Sequence, residues 1–310
     1  RIAGICFSGM VPTLVFLDSE GRPLYNSVQQ NDARAVTEID EWKGRLDEDS
    51  YFALTGNTVN QQVLFPKISW FRTHHPEVVE KAASILGSYN YGAYLLTGEL
   101  SVDTNWALES GMWRVREKGW DPAILKAAGV PEQFLPPVRE SCDVVGVTSD
   151  RVRRETGFPV GIPVVAGIAD HVASAFSTGV REEGDLLLKL GGAGDILYAT
   201  KALNLNRKLF IDYHPFEGTY LLNGCMASSG SIVKWLMGIM GLENFDRITP
   251  EAAKLPPGSE GLVLLPYFLG EKTPIFDVKA RGLYFGLNLS HTRAHLFRAV
   301  LEAVAFAGQL

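Results

Sequence analysis

Asp170 is the residue whose setting first suggests chemistry. The run PVVAGI from Pro163 reads as a buried strand, and DHVASAF from Asp170 reads as a short helix ending at Gly179. An Asp in front of a helix is a preferred N-cap, accepting from backbone N–H groups two or three residues on. The end of a strand running into a helix N-terminus is also where α/β folds gather ligands. N–H groups and the helix dipole keep a carboxylate there in its anionic form. Such a group can take a proton from a hydroxyl that attacks a phosphoryl group. In a loose transition state that proton leaves late, so a weak base suffices.

Three further segments have the composition of a binding site. LLKLGGAGDILY, from Leu187 to Tyr198, is strand, glycine turn, strand. It reads either as a tight turn shaped by Asp195 or as a phosphate cradle in which Gly191 and Gly192 let backbone N–H groups approach an anion. It lacks the Gly-Lys-Ser/Thr of the Walker pattern. MASSGSIVKW, from Met226 to Trp235, places small residues at a helix start, with Gly230 at the opening and Lys234 one turn on. The small residues read either as ordinary close packing at a helix start, with Lys234 solvated, or as a place for a nucleotide against the helix opening, with Lys234 as a point charge. QQNDAR, from Gln29 to Arg34, is a strand-to-helix loop in which Asn31 or Asp32 can cap. Its amide, carboxylate and guanidinium groups also suit hydroxyl recognition, where donor and acceptor are both needed, and Gln61 and Gln62 can add to it. Histidines 74, 75, 171, 214, 291 and 295 show no ligand spacing, so no protein-made metal site is expected.

The elements that must position these groups are α/β in pattern. Ile2 to Cys6 reads as a buried strand turning at Ser8-Gly9, and Thr13 to Leu17 as a second strand returning through Leu24 to Val28. A helix is expected from Asp32 to Leu46, and a mostly helical stretch from Ser50 to Lys126 includes helices at Glu77–Leu86 and Tyr89–Leu96. β-Branched runs return at Val144–Val147 and Val160–Ala166. The character then changes to strands and glycine corners, which puts a domain boundary near Gly157–Gly161 and two domains at 1–160 and 161–310. The last fifty residues read as a buried strand from Gly261 to Leu265, a charged loop, a second strand, and a helix with Leu296, Ala299, Val300, Ala303, Val304 and Ala307 on one face.

Composition excludes some functions. The 310 residues carry a net charge of −6 without a basic block, which disfavours a nucleic-acid surface. Cys6, Cys142 and Cys225 are scattered, so neither a disulfide framework nor a zinc site is expected, and a cytoplasmic protein is the simpler reading. No apolar run reaches the ~18 residues of a membrane span. Arg1 opens directly on an apolar run and Leu310 falls inside an unfinished helix pattern, so a fragment of a longer protein is expected.

GLYFGLNLSH from Gly282, followed by the His295-Leu296 and AVLE elements ending at Glu302, resembles the C-terminal signature of the FGGY family of carbohydrate kinases. KISWFRTH from Lys67 resembles the second half of the family's N-terminal signature, with Gln62 and Leu64 departing from the first half. Asn31-Asp32-Ala33-Arg34 matches the substrate-side N-D-x-R segment. Ser8-Gly9-Met10 matches the sugar-touching loop, with Val11 where the xylulokinase-like members usually carry His. The resemblance runs in order along nearly the whole chain. It implies two ribonuclease H-like (actin/hexokinase-like) domains with an interdomain cleft, the first binding sugar and the second nucleotide, truncated at both ends. The D-x-G-T phosphate loop would precede Arg1 and the adenine-binding segment would follow Leu310, so the chain alone is expected to be inactive.

The implied activity is ATP- and Mg²⁺-dependent phosphorylation of a small sugar or polyol, a pentulose such as xylulose. Asp170 would be the base. Met10, Asn31, Asp32, Arg34 and Gln62 would hold the sugar, and Gly191, Gly192, Gly230 and Lys234 the ATP. Gly192 stands where the family usually has Thr. The alternative is a non-catalytic sugar or nucleotide sensor on the same scaffold. Nucleic acid and membrane are not expected partners, and a homodimer is allowed.

Overall fold

The computed structural model describes residues 2–277 and 279–308. The expected course of the last helix through Leu310 lies outside the described residues. Two compact units emerge: Arg1–Glu183 with Thr200–Arg207 and Ile211–Leu221, and Gly184–Ala199 with Lys208–Phe210 and Leu222–Leu310. The sequence put the division near Gly157–Gly161, whereas the first unit continues through Glu183.

In the first unit the strand Val15–Leu17 is wholly buried and pairs antiparallel with Ser84–Leu86, Val15 opposite Leu86. Bridges from Leu14 to Val28 and from Leu17 to Pro23 form the return expected at 24–28, closed by Asp18 accepting from the N–H groups of Glu20 and Arg22. The helix Leu64–His74 buries Leu64, Phe65, Ile68 and Phe71, the spacing of one face. That face packs through Phe71 on Phe16 and Phe65 on Trp42, with ring centroids 4.9 and 4.8 Å apart.

Three sequence expectations fail here. Ile2–Cys6 makes only one bridge, Ile5 to Val164, and the paired strand is Ser8–Gly9. The first helix spans Val36–Arg45, starting after Asp32 has been drawn into a loop of its own. The stretch 77–86 is the helix Pro76–Lys81 followed by the strand Ser84–Leu86, because Ser84-Ile85-Leu86 finds a buried partner in Val15–Leu17.

A short parallel pair organises the unit's interior. Ser8 lies opposite Ile168 and Gly9 opposite Ala169. Both strands rest on Tyr89: a Cβ on Gly9 would stand 3.1 Å from Tyr89 Cβ, and one on Gly167, whose φ is +108°, 2.9 Å from the Tyr89 ring. Glycine is therefore required at Gly167, and at Gly9 a side chain would crowd Tyr89. Tyr89 is in turn fixed by Asp103, which is fully buried and accepts from the Tyr89 hydroxyl and from Asn90 Nδ2. The other Asp103 oxygen caps the helix Thr104–Glu109 through the N–H groups of Asn105 and Trp106, at 3.0 and 3.3 Å. Burial raises the Asp103 pKa above the ordinary carboxylate value, and the four donors oppose that rise.

In the second unit the strands Leu186–Leu190, Gly194–Thr200 and Tyr220–Met226 lie side by side in that order. The helix Arg293–Ala307 lays Phe297, Val300 and Ala303 on Ile232, Leu236 and Met237 of the helix Gly230–Ile239. The strand Val263–Leu265 pairs with Leu283–Phe285, as the sequence suggests, but of its residues only Leu264 is buried. One face of this ribbon meets the core, so the apolar run is not a fully buried strand.

Asp103→Ala removes a cap and leaves the Tyr89 hydroxyl and two N–H groups without their acceptor. It is expected to cost about 3 kcal/mol or more. Urea denaturation beside an Asp103→Asn control checks this, and an unchanged midpoint would contradict it.

Candidate active site

The parallel register fixes the first part of the site. Since Gly9 faces Ala169, Met10 and Asp170 follow at neighbouring C-terminal strand ends. Asp170 is the first residue of the helix Asp170–Ser177. The cap position is Ala169, and no side-chain cap bond is made. The N-cap reading of Asp170 therefore fails, and its carboxylate is 58% exposed at the helix opening. An exposed carboxylate there can be reached by a hydroxyl donor.

Residues 29–34 form a second cluster. Asp32 accepts from the Arg34 backbone N–H and grips its guanidinium at two points, 2.8 Å each. Arg34 lies over Trp70, 4.9 Å from the ring centroid. The Arg34 pair holds the Asp32 pKa below the usual carboxylate range. Gln62 donates from Nε2 to Gln30 Oε1, and Asn31 is exposed at the loop. Beneath them Lys67, 1% exposed, donates to the carbonyls of Gln29 and Gln30, both at 2.8 Å. Burial pushes its pKa down to about 7. The structure thus gathers Asp32, Arg34 and Gln62 around an ordered polar loop. Lys67 was legible only as a lone charge within the apolar LFPKISWF run.

A third group was missed. His171 Nε2 lies 3.0 Å from Asp212 Oδ2 and 3.8 Å from Glu109 Oε1, while its Nδ1 lies 3.4 Å from Asp170 Oδ1. These atoms come from the helix Thr104–Glu109, the helix Asp170–Ser177 and the strand Phe210–Tyr213. No local spacing could reveal them; only the charge of Glu109 and Asp212 within apolar runs hinted at burial.

In the second unit the glycine turn and the helix opening meet. Leu190 pairs with Gly194 across the hairpin, and the Gly191 N–H donates to the Ala193 carbonyl. The N–H groups of Ser229 and Gly230 donate to the carbonyls of Gly192 and Gly191, both at 2.8 Å, and the Ser231 N–H and hydroxyl also reach Gly192. A Cβ on Gly230 would stand 2.6 Å from the Gly191 carbonyl oxygen, so this helix start must be glycine. Gly191 and Gly230 border a cavity of about 460 Å³ walled by Leu190, Val233, Leu301 and Val304. Lys234 lies exposed one turn along that helix. Asp195 does not shape the turn; it is a strand residue paired across the hairpin with Lys189 at 3.0 Å.

Comparison with known proteins decides the family. Residues 1–177 match the N-terminal domain of the FGGY family of carbohydrate kinases, and residues 198–309 match its C-terminal domain. The chain belongs to the FGGY family of carbohydrate kinases. The two-domain actin/hexokinase-like fold expected from the sequence is the fold of that family. A xylulose kinase of Lactococcus lactis subsp. lactis is 30% identical over 309 residues, which are 99% of this chain and 62% of that protein. The crystal structure of xylulose kinase from Rhodospirillum rubrum is 42% identical with a TM-score of 0.92, covering 100% of this chain and 63% of that one. That of gluconate kinase from Lactobacillus acidophilus is 25% identical with a TM-score of 0.90, covering 99% and 63%. The chain spans less than two thirds of the length of these relatives.

Burial of Lys67 gives a testable pH dependence. Below about pH 7 both folded and unfolded Lys67 hold the proton, and the cost of burying the charge is fully present. Between there and an unfolded value of about 10.4 the unfolded chain binds more protons, so stability rises with pH by up to about 1.4 kcal/mol per unit. Lys67→Met is expected to lose that slope, measured by urea unfolding at pH 7 and 9. Equal slopes in both proteins would contradict the buried ammonium.

Proposed function

We propose that the full-length protein carrying this chain transfers the γ-phosphoryl group of ATP to a hydroxyl of a small sugar or polyol, with a pentulose such as xylulose as the leading substrate. The observation that supports this reading is the strand register that sets Met10 and Asp170 at neighbouring strand ends, with the Asp170 carboxylate exposed at a helix opening. Relatives named xylulose kinase support the pentulose, and relatives named gluconokinase or gluconate kinase leave other sugars open.

In this reading the sugar sits against Met10 and the loop of Asn31, Asp32, Arg34 and Gln62. Asp32 and Arg34 hold each other, so they offer pre-set lone pairs and N–H groups rather than mobile charges. Asp170 orients the hydroxyl. As the new O–P bond forms and the bond to the ADP oxygen breaks, the O–H proton passes to an Asp170 oxygen, and from there to water across its exposed edge. On the second unit, Gly191, Gly192, Gly230 and the adjoining apolar cavity would take the nucleotide, with Lys234 as a nearby cation. The close approach of two backbones at Gly191 and Gly230 leaves a wall without side chains, which suits a bulky planar ligand.

Mg²⁺ would arrive on the nucleotide phosphates. It prefers six oxygens in octahedral array. The Glu109, His171 and Asp212 group, with an imidazole and a 3.0 Å ion pair, does not offer that set, whereas the exposed Asp170 carboxylate can hold a metal-bound water. The ion would neutralise charge on the transferring phosphoryl group.

In the full-length protein, Asp170→Asn is expected to lower kcat about 10²- to 10⁴-fold with sugar affinity preserved. Coupled ADP release and sugar calorimetry check this across ketopentoses, ketohexoses and polyols. Turnover within tenfold of wild type at unchanged binding would contradict the base assignment.

A further inference from the structure

The group formed by Glu109, His171 and Asp212 has no part in the reading above, and it stands directly behind Asp170. Asp212 is 1% exposed at its side chain, and the His171 and Glu109 side chains are each 13% exposed. Glu109 Oε1, His171 Nε2 and both Asp212 oxygens are buried without a hydrogen bond. The 3.0 Å contact between His171 and Asp212 is close enough for an ion pair. Four buried polar atoms left uncompensated would be costly. Charge compensates them: an imidazolium facing a carboxylate needs proximity more than alignment.

The scaffold makes this arrangement deliberate. Asn105, fully buried, donates from Nδ2 to the Tyr213 carbonyl at 2.9 Å and accepts from the Tyr213 N–H at 2.8 Å. It substitutes for a strand partner and fixes Asp212, the neighbour of Tyr213. The helix that carries Asn105 ends at Glu109 and is capped by Asp103. One short helix therefore places both acids that face His171.

We propose that His171 is a positioning residue for Asp170: a buried imidazolium, anchored from behind by Asp212 and Glu109, that orients the Asp170 carboxylate through Nδ1 and keeps it ionised. This rests on the reading of Asp170 as the base.

The charges around the ring agree with this geometry. Burial lowers the His171 pKa, but Asp212, Asp170 and Glu109 together outweigh it and hold the imidazole well above its ordinary value. Burial first, and then the neighbouring Asp212 charge, pushes the Glu109 carboxyl well above its ordinary range. The strands Ser8–Gly9 and Ile168–Ala169, which also pack on this helix, bring no titratable side chain. Tyr89 is tied to Asp103, and His214 lies further along, against Phe176 and the Val180 carbonyl. A cation at Nδ1 lowers the basicity of Asp170, which a late proton transfer tolerates. In return the base stays charged to lower pH than it would beside a neutral ring, and stays aimed while the imidazolium persists.

The test joins imidazole NMR of the chain to kinetics of the full-length protein. In ¹⁵N-histidine spectra, His171 is expected to remain doubly protonated at pH 8, and Asp212→Asn is expected to lower its midpoint by more than one pH unit. His171→Asn in the full-length protein is expected to lower kcat about 10- to 100-fold with sugar KM changed less than threefold. Its acid limb of kcat should move to higher pH, a shift that mere loosening of the fold would not produce. A neutral imidazole at pH 7 in the wild type would overturn the proposal. So would an unshifted pH profile in a folded His171→Asn protein, or Zn²⁺ or Mn²⁺ capturing the ring at micromolar concentration. A wild-type protein without turnover on any sugar would overturn the function proposed above, and the kinetic role with it. The imidazole titration would then report separately on the buried ion pair.

Discussion

The buried carboxylate of Asp103 is the interaction from which the first unit's functional geometry is built. One of its oxygens fixes Tyr89, on whose ring the glycine-bearing strands of Met10 and Asp170 rest. The other starts the helix that bears Asn105 and Glu109, and through Asn105 fixes the strand of Asp212. A charge fully removed from water has to be satisfied in several directions, and its donors come as two pairs, Tyr89 and Asn90 on the helix Ser88–Thr97, Asn105 and Trp106 on the helix Thr104–Glu109. Small displacements at one donor would therefore reach both the sugar-side strand end and the histidine behind Asp170.

The second unit solves a comparable problem with backbone alone. The carbonyls of Gly191 and Gly192 take up the first N–H groups of the helix Gly230–Ile239, groups that would otherwise need a cap. The hairpin turn and the helix start are thus one piece of structure. Absence of a Cβ at Gly230 is what allows the contact, and the apolar cavity beside it follows from the flanking Leu190, Val233 and Val304.

What could be read from the sequence was whatever is local. The strand, loop, strand and helix after Gly261 were legible because each element pairs with the next along the chain. The glycine hairpin and the helix at Gly230 were legible for the same reason, though not their mutual contact. The segment 77–86 misled because Ser84-Ile85-Leu86 continues a helical apolar spacing, and a distant strand claims it instead. Ile2–Cys6 misled because its parallel partner, Val164, is distant in the chain and bridges it at Ile5. Asp170 was identified by its strand-to-helix setting, but its place inside the helix, one residue past the cap position, needed coordinates. His171 could not be understood from sequence at all, since its anchors Glu109 and Asp212 arrive from two other elements. Family resemblance carried what spacing could not, and it gave no role to the histidine.

The central claim is that adjacent parallel strand ends present Met10 and Asp170 to one sugar. A crystal structure of the full-length protein with a ketopentose and a non-hydrolysable ATP analogue tests it most directly. The account expects one sugar hydroxyl within hydrogen-bond distance of an Asp170 oxygen, Met10 against the sugar, and the analogue's phosphates near Gly191. A sugar bound elsewhere, or seated with no hydroxyl near Asp170, would contradict it.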